Sequence, residues 1–249
     1  MIALSAYFVL AGIRSGDKVQ LQRYIAMLIL FLANACFWAL FEQAGSSMNF
    51  FAREFVTPMF GSMETWQAGG FGIFQSLNPL YILLFGLPFA ALWPWLEKRK
   101  LNPSIPRKFA LGLIQVALGF YVLVYSINHF QNAAGLVPWI FMALVYLLHT
   151  TGELCLSPIG LSMVTKLAAE KETGMAMGGW FLSIAMAQYV AGIIAAIASG
   201  GSGGHGVAAG AGIGQYAETY MMLFWIGLGF GIAYLVVAPL INKLMHGVK

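Results

Sequence analysis

The sequence predicts an all-α integral membrane protein: six transmembrane helices preceded by a short partial helix. Three observations carry that prediction. Hydrophobic residues make up 60% of the chain and charged residues 9%, where a soluble domain carries roughly 25% charge. Six apolar runs approach or exceed the roughly 20 residues that cross a bilayer. Twelve of the 13 lysines and arginines fall on alternate loops between those runs. Hydrocarbon satisfies no backbone hydrogen bond, so spans of this kind are helical.

Met1 leads straight into IALSAYFVLAGI, an apolar stretch with no basic residue ahead of it. It is too short to span the core and makes a poor secretory signal. It reads as the tail of a helix whose beginning is absent, and the chain therefore reads as a truncated product or a fragment. RSGDKVQLQR follows as a polar loop. Residues 1–22 are thus assigned to a partial helix and a cytoplasmic linker, and residues 23–249 to a six-helix bundle.

The six spans are placed at about 24–51, 71–96, 109–127, 137–167, 175–198 and 217–244. Alternating the loops collects Arg14, Lys18, Arg23, Lys98, Arg99, Lys100, Arg107, Lys108, Lys166, Lys171, Lys243 and Lys249 on one side, and leaves Arg53 alone on the other. A bias of that size makes the first side cytoplasmic. Merging or splitting one span would scramble it. The net charge of +4 lies in these short loops and does not point to nucleic acid. Cys36 and Cys155 fall inside spans and read as packed free thiols, with no disulfide framework and no metal spacing.

In span one, Trp38, Glu42 and Gly45 recur at i, i+4 and i+7, which is one face of a helix. An aromatic, an acid and a small residue on one face suit a cavity wall beside a close neighbour. Glu42 also reads as an interfacial acid capped by Gln43 and Ser46. The outer loop with Arg53, Glu54, Glu64 and Trp66 reads as a solvated cap with an interfacial tryptophan. Span two opens with FQSLNPLY. Pro79 leaves the Gln75 carbonyl without its helical donor, and Asn78 either repairs that break or contacts a solute. Span three has no acid or base and reads as lipid-facing and peripheral; His129 beyond it reads as solvated.

Span four holds His149-Thr150-Thr151-Gly152-Glu153-Leu154-Cys155-Leu156-Ser157-Pro158. A charge at mid-bilayer costs on the order of 3 kcal/mol, and ionisable residues at that depth mark pathways or relays. Pro158 removes the amide that would bond the Leu154 carbonyl, which predicts a bend beside the acid. Thr150, Glu153, Ser157 and Gly160 form a stripe. His149 either shares a proton with Glu153, bonds a neighbouring helix or lies at the edge of the stripe. Span five is rich in glycine and methionine; Trp180 lines a cavity or packs, and Gln188 is a further polar group at depth. Gly201, Gly203 and Gly206 match G-x-G-x-x-G by accident, since no strand precedes them. Span six, with Glu218 at its outer edge and no central charge, reads as peripheral like span three.

Polar residues thus concentrate in spans one, two, four and five. A three-plus-three arrangement with the third helix of each triplet outside fits one half of a major facilitator fold. FWALFEQAGSS, FQSLNP, GELCLSPIGLSMVTKLA and GMAMGGWF, in this order, resemble the proton-dependent oligopeptide transporter family, also called the peptide transporter family. The resemblance runs from about Arg23 to Lys249 and implies the C-terminal half of the fold, helices seven to twelve. The N-terminal stub then resembles the end of the helical hairpin that bacterial members carry between bundles.

The resemblance implies a proton-coupled symporter of di- and tripeptides in the inner (plasma) membrane, with protons as the coupling ion and no other cofactor. It implies that Glu153 meets the peptide amino terminus and a lysine of the other bundle, and that Ser157, Trp180 and Asn78 contact peptide. Trp38 and Phe41 take aromatic pocket and gate positions. Glu42 is the acid of the outer gate and of proton coupling. The first bundle, with its E-x-x-E-R motif and the bases for both acids, lies outside this sequence, so the chain is expected to be inactive without that partner. Ala169 stands where the family carries proline, away from the site. Other readings are a facilitator for nitrate or a conjugated metabolite, a non-transporting assembly subunit, and an intramembrane enzyme using His149 and Glu153. The last lacks H-E-x-x-H, a nucleophile elbow and clustered metal ligands.

Overall fold

The computed structural model describes residues 1–198 and 212–248. The chance glycine match at Gly201, Gly203 and Gly206 lies outside the described residues. Among those described, six helical segments are long and apolar enough to cross a membrane.

Helix α1 (Ile2–Arg14) docks on the bundle rather than trailing from it. Phe8 is buried against Tyr24, with ring centroids 5.1 Å apart. Asp17 caps the next helix by accepting from the amides of Val19 at 2.8 Å and Gln20 at 3.3 Å, which satisfies two otherwise orphaned donors. Helix α2 (Lys18–Phe41) then stops short of the continuous span expected over 24–51. A 3₁₀ turn, Glu42–Gly45, and helix α3 (Ser47–Phe55) follow it. The interruption has a tertiary cause. Gln43 turns inward, its amide donating to the carbonyls of Ala39 at 3.2 Å and Ala191 at 3.1 Å, while its oxygen accepts from the Ser47 hydroxyl at 2.6 Å. Gly45, expected on the face of Trp38 and Glu42, lies exposed at the end of that 3₁₀ turn.

The segment after α3 is a folded cap, built from helix α4 (Met63–Gln67) and the 3₁₀ turn Gly70–Ser76. The expectation of an interfacial Trp66 is corrected: the ring is fully buried, edge-on to Phe74 at 5.5 Å, and its indole donates to the Ala52 carbonyl at 2.9 Å. Helix α5 (Leu77–Lys98) takes Pro79 into its first turn, where a missing amide costs nothing. It buries no residue and packs chiefly on α7.

Helix α6 (Ile105–His129) overturns the peripheral reading of span three. It is the most buried of the long helices and packs mainly against α9 (Ile213–Leu244) and α7 (Trp139–Leu167). A Cβ added at Gly112 or at Gly152 would stand 2.9 Å from the other residue's carbonyl oxygen, so only glycine admits this crossing of α6 and α7. Lack of charge shows only that a span needs no polar partner. In a bilayer, small residues that let backbones approach decide which helices associate. Helix α9 does keep an exposed side, with Trp225, Val236 and Leu240 turned outward. Helix α8 (Thr173–Ala198) lies mainly on α2, tied by a buried hydrogen bond from Asn34 to the Ser183 hydroxyl at 2.8 Å.

Candidate functional site

Helix α7 runs unbroken through Pro158 and therefore keeps Thr150, Glu153 and Ser157 on one face. Thr150 is buried and Glu153 and Ser157 are half-buried. Asn78, in the first turn of α5, crosses to this face. Its amide donates to Glu153 Oε2 at 2.8 Å and to Thr150 Oγ1 at 3.1 Å. The alternative in which Asn78 mends its own helix is thereby set aside: its side chain is spent between helices. A charge-assisted bond of this kind is about twice as strong as a neutral one.

Glu42 opens the 3₁₀ turn after α2, half-buried, and accepts at 3.4 Å from Gln188 of α8. Ser46 does bond the Glu42 backbone carbonyl at 2.9 Å, but Gln43 is committed elsewhere and leaves the carboxylate alone. The two acids are within electrostatic reach of each other. Neither has a basic partner among the described residues, where the ion pair seen is Arg53 with Glu54 at 3.5 Å on the surface. A carboxylate without an ion-pair partner is expensive wherever hydrocarbon surrounds it.

Aromatic side chains cluster on the same helices as the acids. Trp38 and Phe41 are half-buried, 5.1 Å apart, and Phe41 lies 6.0 Å from the His149 ring. His149 itself is buried against Phe120 and over Gly119. Neither of its ring nitrogens makes a well-formed hydrogen bond. The reading in which His149 shares a proton with Glu153 is corrected: neither ring nitrogen bonds the carboxylate, whose Oε2 accepts from Asn78 instead. With it goes the geometric basis for an intramembrane enzyme.

Of the two readings of Trp180, lining a cavity or packing, the structure shows packing: the ring is 1% exposed and lies in contact range of Gly160, Phe31 and Phe109. Among residues that the sequence did not single out for function, Gln75 and Tyr146 hold the site from outside. The Gln75 amide bonds the Ala44 carbonyl at 2.7 Å and the Tyr146 hydroxyl at 3.1 Å. Gln75 was visible only as an orphaned carbonyl, and nothing in the spacing distinguished Tyr146 from a core aromatic. The cavities of about 790 and 320 Å³ at the basic ends of α5 and α6 include neither acid.

Fold and site together define the class: a polytopic helical membrane protein whose acids and amides face one another across helices without a catalytic constellation. Comparison with known proteins narrows it. Residues 2–208 match the POT family. The peptide transporter YePEPT of Yersinia enterocolitica is 36% identical over 199 residues, covering 77% of this chain and 37% of the relative. The uncharacterized transporter YclF of Bacillus subtilis is 31% identical over 250 residues, 100% of this chain and 46% of the relative. A crystal structure of the peptide transporter POT in complex with sulfate superposes with a TM-score of 0.78 at 31% identity, covering 99% of this chain and 46% of that one. The chain belongs to the POT family, a family of transporters, and spans less than half the length of these relatives.

Proposed function

We propose that this chain supplies the C-terminal six-helix half of a proton-coupled symporter for di- and tripeptides in the inner membrane, with the basic loops cytoplasmic. The single observation that carries the reading is the Asn78–Glu153 pair, a carboxylate held between two helices at 2.8 Å with no cation of its own. A peptide ammonium fits that vacancy. Asn78, through the amide oxygen its two donated bonds leave over, and Ser157 take the peptide amides, and Trp38 and Phe41 present apolar surface to variable side chains. The permease relatives support the substrate class: dipeptide and tripeptide permease B of Edwardsiella piscicida is 32% identical over 258 residues.

Coupling requires a charge change that biases a two-state element. Glu42, linked to Gln188 across α2 and α8, is the group assigned that role. Ionised, it pairs with a base of the other bundle and latches one conformation. Protonated, it releases the latch. A membrane potential of 100 mV contributes about 2.3 kcal/mol per charge moved inward, which corresponds to roughly fifty-fold accumulation of a neutral peptide per proton.

The experiment is uptake of a labelled dipeptide into proteoliposomes under an inward proton gradient. The chain alone is expected to show none, because both acids lack their partners. Joined to a first six-helix bundle from a POT relative, it is expected to accumulate dipeptide, and Glu153→Gln is expected to abolish accumulation. Uptake that survives Glu153→Gln removes Glu153 from the site. Uptake that unlabelled dipeptides fail to compete reassigns the carrier to another solute.

A further inference from the structure

The basic end of the bundle holds a second site of different chemistry. Two cavities, of about 320 and 790 Å³, meet there and share Trp93, Ile105 and Lys108 as walls. The smaller arm runs toward mid-span between α5, α6 and α7, and its lining, which includes Gly86, Leu154 and Pro158, is almost wholly apolar. The larger arm opens among the polar residues of the α5–α6 loop, with Lys100 and Arg107 in its wall.

Lys108 stands at the junction. It is 7% exposed, its ammonium lies 4.2 Å over the Trp93 ring, and among the described residues no carboxylate pairs with it. An aromatic face offsets part of the cost of burying a cation, but a counter-ion is still missing. Glu97, the acid of the same wall, accepts from Asn102 at 2.9 Å, leaving three cations to one engaged acid. The start of α6 adds to the deficit. Ser104 at its N-cap makes no side-chain bond; Pro106 has no amide and that of Lys108 donates to the Ser104 carbonyl at 3.0 Å, so the amides of Ile105 and Arg107 are the ones left to favour a phosphate. Trp95, with the Arg99 guanidinium 4.0 Å over its ring, belongs to the aromatic belt found at headgroup level.

We propose that this junction binds one anionic phospholipid, with an acyl chain in the apolar arm and the phosphate among Lys100, Arg107, Lys108 and the start of α6. The order of the two arms along the span argues for a lipid over a soluble anion: the apolar arm points to the bilayer midplane and the cations sit at its edge. Basic pockets between transmembrane helices are known to take anionic headgroups. Because α5 buries no residue within this chain, none of the described residues covers the cleft beside it. The inference needs the membrane location and does not depend on the transport reading.

Native mass spectrometry of the delipidated full chain, titrated separately with phosphatidylglycerol, phosphatidylcholine and glycerol 3-phosphate, tests it. Phosphatidylglycerol is expected to bind at least tenfold more tightly than either of the others. Lys100→Gln with Arg107→Gln is expected to weaken it by about fivefold per charge removed. Gly86→Phe, placed where a Cβ meets nothing within 4 Å, fills the apolar arm and is expected to lower phosphatidylglycerol binding while leaving that of glycerol 3-phosphate unchanged. Equal binding of phosphatidylcholine overturns the proposal, as does glycerol 3-phosphate binding that matches the whole lipid. Binding indifferent to both variants overturns it too.

Discussion

Gly160 and Trp180 illustrate how much one residue decides. A Cβ at Gly160 would stand 2.1 Å from Trp180 Cη2, and the indole has no room to retreat between Phe31 and Phe109. Overpacking of this kind costs about 1–3 kcal/mol. Gly160→Ala is therefore expected to lower thermal stability in detergent, and pairing it with Trp180→Phe is expected to recover part of the loss. An unchanged melting profile for the single variant would mean that the ring is not locked as described. The sequence placed Gly160 on the stripe with Glu153 and left Trp180 open between lining and packing. Glycine is legible as a site of close approach, but what approaches it is not.

At the scale of elements, α1 is held by more than apolar contact. The buried carboxylate of Glu172, in the 3₁₀ turn before α8, accepts from the hydroxyls of Tyr24 on α2 and Tyr7 on α1, the latter at 3.4 Å. Beside it, Gln20 ties α2 to α7 by a bond to the Leu167 carbonyl at 2.9 Å. Removing one partner from a buried bond leaves the other unsatisfied, at about 1–3 kcal/mol. Glu172→Ala is expected to accelerate amide hydrogen exchange throughout α1 by about tenfold or more while α6 and α7 stay protected. Exchange in α1 that does not respond would assign its docking to Phe8 and its neighbours alone. The linker reading of residues 1–22 missed this clamp because a tyrosine in the apolar stub, another at the start of span one and a glutamate in a later loop carry no shared pattern. The interruption of α2 was hidden for the same reason. Gln43 has ordinary helical spacing, and only the Ala191 carbonyl of another helix turns it inward.

For the whole molecule, the distribution of lysine and arginine makes the prediction. Because twelve of the 13 lie on one side, the α5–α6 loop is expected inside the cell and the α6–α7 loop outside. Leu101→Cys and Gln131→Cys, both at exposed positions, report this with a membrane-impermeant maleimide once Cys36 and Cys155 are replaced. Gln131→Cys is expected to react in intact cells and Leu101→Cys only after permeabilisation. The opposite pattern would invert the bundle and place Glu42 at the cytoplasmic end. At this same scale the two unpaired acids acquire their sense. Under the proposed function, a companion bundle that brings the opposite charges would turn these two acids into a latch.

Composition, span length and loop charge were enough to determine an all-helical membrane bundle, its six spans and the positions of its intramembrane acids. Those properties follow from the solvent: hydrocarbon admits only hydrogen-bonded helices and makes any charge conspicuous against an apolar background. Tertiary structure alone decided which groups meet. It joined Asn78 to Glu153, kept His149 apart from that carboxylate, withdrew Trp180 and Trp66 into the interior and made α6 the most buried of the long helices. Apolar faces look alike to a neighbouring helix and to lipid, so helix order in the bundle rests on glycine contacts and single hydrogen bonds between residues far apart in the chain. Periodicity along one helix carries no record of them.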